Sequence, residues 1–189
     1  MKNLAFFASH NGSNFQAIVK NCLNGNINAN PKLLISNNSD SGAMKFASEN
    51  NIKTYHISDK TSENPDKEIL NVLLDNQIDL VILAGYMKKI PSEVIKLFPN
   101  KILNIHPSLL PKYGGKGMYG INVHKAVIEA GELFSGLTIH YVTENYDEGE
   151  YILQHTIKVN KDETAESLQK RILEFEHLLY SKVIAELVN

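Results

Sequence analysis

A chain of 189 residues with 43% hydrophobic residues and no tryptophan can bury one core and is too short for a second ordinary domain, so residues 1–189 are expected to form a single domain. A formal charge of -2 gives no global attraction to nucleic acid or acidic membranes, and Arg171 is the only arginine, which puts bidentate guanidinium clamps on phosphate nearly out of reach. The one cysteine, Cys22, excludes an intramolecular disulfide and fits a reducing, cytoplasmic compartment, where its simplest role is that of a small core residue.

Apolar runs alternate with amphipathic stretches along the chain. The pattern predicts, in order, a strand over 3–8, a helix over 13–23, a strand over 32–36, a helix over 41–50 and a strand over 53–57. A polar surface loop over 58–65 follows, then a helix over 66–76, a strand over 79–84, a helix over 91–97 and a strand over 101–105. A helix over 121–130, strands over 135–142 and 151–158, and a last helix over 164–187 complete the set. The early strands are short and continuously apolar, as in Leu80-Val81-Ile82-Leu83-Ala84, which suits a parallel sheet covered on both faces. Strands alternating with helices predict an open, doubly wound, mostly parallel α/β sheet. The two late strands have no helix between them and are expected to add in antiparallel fashion. In the last helix Leu168, Ile172, Phe175, Leu179 and Val183 fall on one face, with Glu176 at its edge and His177 pointing away. Thr164 is the candidate N-cap. The chain opens directly into a strand and shows neither a signal-peptide pattern nor an apolar run of membrane-spanning length.

The first strand ends in Ser9-His10-Asn11-Gly12-Ser13-Asn14, and a helix follows at once. Ser13 and Gln16 have capping-box spacing, and Gly12 allows a tight turn and close approach of a ligand. The start of the helix offers free amides and the positive end of its dipole. Gly12, Ser13 and Asn14 thus outline a small anion site. It lacks the three spaced glycines of a dinucleotide loop and the lysine of a P-loop, so a monophosphate suits it better than a triphosphate. An ordinary strand-to-helix turn with a good cap is the alternative.

A second candidate lies at the end of the strand over 101–105. Asn104 and His106 are two residues apart and so point to the same side of an extended chain. An amide beside an imidazole can donate to a developing oxyanion, and the imidazole can move protons near neutral pH. Satisfied turn residues would look the same. Asp147, between the two late strands, would orient His106 and favour its charged form if it reached the ring, and would otherwise belong to a solvated acidic loop. The chain has seven histidines, but they show no paired metal-ligand spacing and no metal is expected. His140 precedes the Asp147 loop and is either a supporting group of this site or a half-buried structural histidine.

Four motifs resemble the phosphoribosylglycinamide formyltransferase family: Asn11-Gly12-Ser13-Asn14; Leu83-Ala84-Gly85-Tyr86-Met87; Asn104-Ile105-His106-Pro107-Ser108-Leu109-Leu110-Pro111 with Lys112-Tyr113; and Asp147-Glu148-Gly149 leading to Ile152-Leu153-Gln154. The pair Glu176-His177 also fits, and the resemblance spans nearly the whole chain. It implies a Rossmann-like formyltransferase fold and transfer of a formyl group from 10-formyltetrahydrofolate to the amine of glycinamide ribonucleotide, a step of de novo purine biosynthesis. By the same resemblance Gly12, Ser13 and Asn14 bind the substrate phosphate, Glu176 contacts the ribose, and Asn104, His106 and Asp147 are catalytic. Met87, Lys88, Lys89 and Ile90, with Thr143, Glu144, Asn145 and Tyr146, hold the folate. Asn104 and a protonated His106 would stabilise the oxyanion of a direct, metal-free attack. The expected partners are these small molecules only, with no nucleic acid or membrane, and the expected state is a monomer or weak homodimer. A formyltetrahydrofolate hydrolase or another folate-dependent N-formyltransferase is the alternative on the same scaffold; hydrolases usually carry an extra N-terminal regulatory domain not seen in this sequence. A non-catalytic phosphometabolite-binding module is the alternative of a different class.

The sequence departs from the family in three places. Gly114-Gly115-Lys116-Gly117-Met118-Tyr119-Gly120 replaces a shorter turn after Lys112-Tyr113. No arginine occupies the 60–67 region, so Lys60 or Lys67 would take the folate contact of other members. Leu173 stands where some members have a lysine, which leaves Lys170 or Arg171 to reach instead.

Overall fold

The computed structural model describes residues 1–189. Strands β1 (Lys2–Phe7), β2 (Ala29–Ser36), β3 (Lys53–His56), β4 (Leu80–Leu83), β5 (Ile102–His106), β6 (Phe134–Tyr141) and β7 (Tyr151–Lys158) form one sheet in the order β3-β2-β1-β4-β5-β6-β7. The helices are α1 (Ser13–Leu23), α2 (Gly42–Glu49), α3 (Pro65–Asp75), α4 (Ser92–Leu97), α5 (Ile121–Glu129) and α6 (Ala165–Val188). Strand β1 pairs in parallel with β2 and β4, β2 with β3, and β4 with β5, whereas β6 and β7 are antiparallel. This is the mostly parallel α/β sheet with an antiparallel late strand that the alternation predicts. The order reverses between β1 and β4, which makes the gap beyond their carboxyl ends the switch point at which open sheets bind ligands.

The chain falls into two compact units, Met1–Leu103 with Ile184–Asn189, and Asn104–Val183. In the first, Leu4 through Ala8 are fully buried, as continuous apolar runs in a two-sided parallel sheet should be. Phe15 on α1 packs its ring 4.9 Å from Phe6 on β1 and 5.6 Å from Phe46 on α2, which fastens both helices to the strand. The start of α1 differs from the capping-box expectation. Gly12 is the N-cap, in the left-handed region with φ 62, and no side chain caps the helix. The Gln16 amide instead donates to the Asn11 carbonyl at 2.9 Å and to the Asn11 side-chain oxygen. The reason is local: once glycine turns the chain at position 12, Ser13 is already the first helical residue and cannot cap. Pro65, read as the last loop residue, is the first residue of α3, capped by Asn64.

In the second unit the α6 cap is as predicted, with the Ser167 amide donating to Thr164 Oγ1 at 3.2 Å. The buried stripe is rotated from the prediction. Leu168, Ile172, Glu176, Tyr180, Val183 and Ile184 are the buried residues of this face, and Phe175 and Leu179 flank it half-buried. A ridge at four-residue spacing runs 168, 172, 176, 180 and 184, so Glu176 sits in the middle of the stripe rather than at its edge. The Phe175 ring lies against His155 of β7 at 4.6 Å.

No helix is long and apolar enough to cross a membrane.

Candidate active site

In the first unit, the two segments predicted to hold phosphate and folate are joined at the switch point. The Ser9 amide donates to the Gly85 carbonyl at 3.0 Å, and the Met87 amide donates to Ser9 Oγ at 2.8 Å. The turn after β1, which carries Gly12, Ser13 and Asn14, is thereby tied to the turn after β4. Gly12 is closely packed in a left-handed turn at φ 62, and a Cβ there would stand 3.0 Å from the Cβ of Ala43, which would have to give. Asn14 is buried within α1, and Ser13 opens the helix where its first amides point outward. Met87, Lys88 and Lys89 are exposed, and Lys88 pairs with Asp59 at 3.1 Å, while the side chain of Ile90 is packed inside.

In the second unit, the structure brings Asn104, His106 and Asp147 together, and His140 joins them. The Nε2 of His106 lies 2.7 Å from the carbonyl oxygen of Tyr113, and its Nδ1 is 3.7 Å from Asp147 Oδ2. A carbonyl only accepts, so Nε2 carries the proton and the neutral ring leaves Nδ1 bare. His140 is fixed the opposite way. Its Nδ1 donates to the Tyr141 carbonyl at 2.9 Å, and its Nε2 lies 3.2 Å from Asn104 Nδ2, a donor to which it can only offer a lone pair. The same Nε2 stands 3.5 Å from Asp147 Oδ1. One amide hydrogen of Asn104 is thus engaged and the other remains for a ligand.

Asp147 owes its place to the main chain around it. Its own backbone is left-handed at φ 57, and the Gly115 amide donates to Oδ2 at 2.8 Å. Gly114 packs closely beside it: a Cβ there would meet Leu110 Cδ2 at 2.6 Å, so that leucine would have to shift, and would stand 3.4 Å from Asp147 Cβ. The glycine-rich stretch that departs from the family therefore supplies a direct partner to the carboxylate.

Burial pushes the His106 pKa below its ordinary value, the neighbouring His140 lowers it further, and Asp147 and the Tyr113 carbonyl oppose them without prevailing. Burial alone would raise Asp147, but the imidazoles of His140 and His106 whenever they carry a proton toward it, and the Gly115 amide that donates to it, hold it below the usual carboxylate value. The two directions together favour a neutral imidazole beside an ionised carboxylate at neutral pH. His124, fully inside α5, is pushed down to about 4 by burial and by His106.

Thr143, Glu144, Asn145 and Tyr146 form the exposed approach to Asp147, braced by Thr143 Oγ1 donating to the Asn145 carbonyl and Asn145 Nδ2 to Glu148. Glu176 lies in the buried face of α6. Arg171 is committed elsewhere, with Nη1 donating to both oxygens of Glu163 at 2.8 and 2.7 Å. It is not a spare cation for a ligand. The Tyr113 carbonyl and the Gly115 amide were out of reach of sequence reasoning, because main-chain donors and acceptors carry no residue signature. His140 did carry a signal, since its strand leads directly into the Asp147 loop. No three His, Cys, Asp or Glu side chains cluster so as to hold a metal ion.

Comparison with known proteins places this geometry. The formyl transferase family model matches residues 2–184. A chloroplastic phosphoribosylglycinamide formyltransferase of Arabidopsis thaliana is 45% identical over 187 residues, covering 97% of this chain and 64% of the relative. The chain therefore spans somewhat less than two thirds of that plant protein. The phosphoribosylglycinamide formyltransferase of Bacillus subtilis is 35% identical over 192 residues, covering 100% of this chain and 96% of the relative. The crystal structure of glycinamide ribonucleotide transformylase 1 from Geobacillus kaustophilus superposes with a TM-score of 0.92 at 36% identity, with 100% of both chains covered. With the family match over residues 2–184 and these relatives, the chain belongs to the formyl transferase family, among the phosphoribosylglycinamide formyltransferases.

Proposed function

We propose that this chain transfers the formyl group of 10-formyltetrahydrofolate to the amine of glycinamide ribonucleotide, in de novo purine biosynthesis. The observation that carries the reading is the meeting of Asn104, His106, His140 and Asp147 with their protons assigned. The residues suit the co-substrate. A formyl oxygen can only accept hydrogen bonds, and the amide hydrogen of Asn104 that His140 leaves unused is a donor held in place.

The amine attacks the formyl carbon, a carbon–nitrogen bond forms, and the bond to N10 of the folate breaks. Asn104 Nδ2 donates to the oxygen as it gains charge. His106 takes the proton released by the amine at its bare Nδ1, and the resulting imidazolium closes on Asp147 and adds to the stabilisation of the oxyanion. The proton then leaves toward N10, so that none is gained or lost overall. No covalent bond to the protein is needed, and much of the rate gain comes from holding both substrates in place. Gly12, Ser13 and Asn14 take the substrate phosphate at the start of α1, and Glu176 takes the ribose. Met87, Lys88, Lys89 and Ile90, together with Thr143, Glu144, Asn145 and Tyr146, bind the folate. Lys60 or Lys67 takes the folate contact of the arginine found in other members, and with Arg171 engaged Lys170 is left to reach in place of the lysine absent at Leu173. The family match runs from 2 to 184 across both compact units, which supports one formyltransferase domain. We read the protein as cytoplasmic, as a monomer or weak homodimer, and as having only small-molecule partners.

The test is an assay of purified protein with 10-formyltetrahydrofolate, with and without glycinamide ribonucleotide. Tetrahydrofolate release that depends on the amine supports transfer. Release without the amine identifies a hydrolase, and binding of one ligand with no turnover identifies a sensor module.

A further inference from the structure

The bond that fixes the His106 tautomer comes from the carbonyl of Tyr113, seven residues further on, so something must hold the intervening loop. The chain between them is gripped from below by one buried hydroxyl. Thr138 on β6 is fully buried, and its Oγ1 donates to the Ser108 carbonyl at 2.7 Å while accepting from the Leu110 amide at 3.1 Å. The Gln154 amide on β7 donates to the same Oγ1 at 3.0 Å and to the Leu110 carbonyl at 2.9 Å. A hydroxyl has one hydrogen and two lone pairs, so that of Thr138 is used to capacity. Ser108, also fully buried, carries the grip forward, with Oγ donating to the Lys112 carbonyl at 2.7 Å. The next carbonyl along the chain is the one that accepts from His106. At the far end Lys112 Nζ and Tyr113 Oη both donate to Glu132 Oε1, at 2.8 and 3.0 Å.

We propose that Thr138, with Gln154 behind it, is a positioning residue for the reaction: it holds the 108–113 loop so that the Tyr113 carbonyl keeps His106 protonated on Nε2 and bare on Nδ1. It touches no reacting atom and acts only through the loop. A hydroxyl with three partners, all on or beside this loop, has no other evident task on the inner face of a strand. Valine would fill the same space at no cost in packing, and it would leave the Ser108 carbonyl and the Leu110 amide without partners. The inference rests on the role given to His106 above, and its experiment separates the two.

The comparison is of Thr138→Val, which keeps the shape, with Thr138→Ser, which keeps the hydroxyl. The histidine nitrogens of the full-length protein are read by long-range proton–nitrogen NMR, and steady-state kinetics are measured across pH. In Thr138→Val, His106 is expected to lose its uniform Nε2–H form, kcat to fall about tenfold and KM for glycinamide ribonucleotide to change less than about twofold. Loss of the Tyr113 bond removes an influence that raises the His106 pKa, so the acid limb of the kcat/KM profile moves to lower pH. Thr138→Ser is expected to restore all three. Gln154→Leu, on an exposed edge position, gives a smaller change of the same sign and serves if the valine variant fails to fold. A folded Thr138→Val with unchanged tautomer overturns the proposal, as does equal damage from valine and serine, which would mark a packing role. A shifted tautomer with unchanged formyl transfer supports the positioning role and overturns the assignment of His106 instead.

Discussion

His106 Nδ1 stands 3.7 Å from Asp147 Oδ2, about 1 Å beyond a charge-assisted hydrogen bond, and it is the nitrogen that the Tyr113 carbonyl leaves without a proton. A bare nitrogen and an ionised carboxylate repel, so the gap is the separation of a pair waiting for a proton. When Nδ1 gains one, attraction replaces repulsion and the gap can close. The pair is therefore strongest when the amine has just been deprotonated.

Asp147→Asn keeps the shape and removes that attraction. The proton taken by Nδ1 is then less stabilised, and kcat is expected to fall by about 10² to 10⁴ in a folded protein. The acid limb of kcat/KM for the unmodified protein lies below the ordinary histidine value of 6.5, because the His106 pKa is lowered. In Asp147→Asn it moves lower still, since the carboxylate no longer raises that pKa. A rate profile over pH 5 to 8 reads both effects, and a limb at or above 6.5 in the unmodified protein contradicts them.

Asn104→Ala removes the oxyanion donor and is expected to cost about 10² to 10³ in kcat. His140→Phe leaves Asn104 its amide but takes away the ring nitrogen that orients it, so a smaller loss in kcat with little change in KM is expected. Near-full turnover by folded Asn104→Ala would remove this amide from the mechanism.

His124 gives the fold its own pH dependence. Its folded pKa is about 4 against an ordinary 6.5, so below pH 6.5 the unfolded chain takes a proton that the folded chain refuses. Stability is fully present above pH 6.5 and is lost as pH falls toward 4, by roughly 2–3 kcal/mol. His106 contributes in the same direction. Urea unfolding at pH 7.5 and 4.5 measures the difference, and His124→Leu should flatten it.

Gly12→Ala places a side chain on a backbone at φ 62 and a Cβ 3.0 Å from Ala43. The expected cost is about 1–2 kcal/mol of stability from the left-handed strain, with more if α2 cannot give. Displacement of the α1 start should also raise KM for the phosphorylated substrate more than KM for the folate. Equal changes in both constants would separate the loop from phosphate binding.

Much of this arrangement is legible in the amino acids. The apolar runs such as Leu80 to Ala84 define a two-sided parallel sheet, and the alternation of strands and helices defines its winding. Asn104 and His106 stand at a strand end with period-two spacing, so their shared side comes directly from the chain geometry. Two kinds of feature are not legible. The α6 stripe turns on whether Glu176 and Tyr180 are buried, and a carboxylate gives no sign of that by type. The proton assignments depend on carbonyls of Tyr113 and Tyr141 and on the amide of Gly115, groups every residue carries, so only the path of the chain reveals them.

The two histidines turn this dependence on chain path into a constraint on the site. Each is committed to one protonated nitrogen by a main-chain oxygen, and the commitments are opposite. The oxygen at position 113 belongs to the main chain, so its place is set by the path of the loop. A change of one residue in the length of the stretch between Pro111 and Gly114 would carry it away and free the ring to exchange its forms. The site is thus strict in the spacing of this stretch, because the place of a main-chain oxygen decides which nitrogen receives the proton.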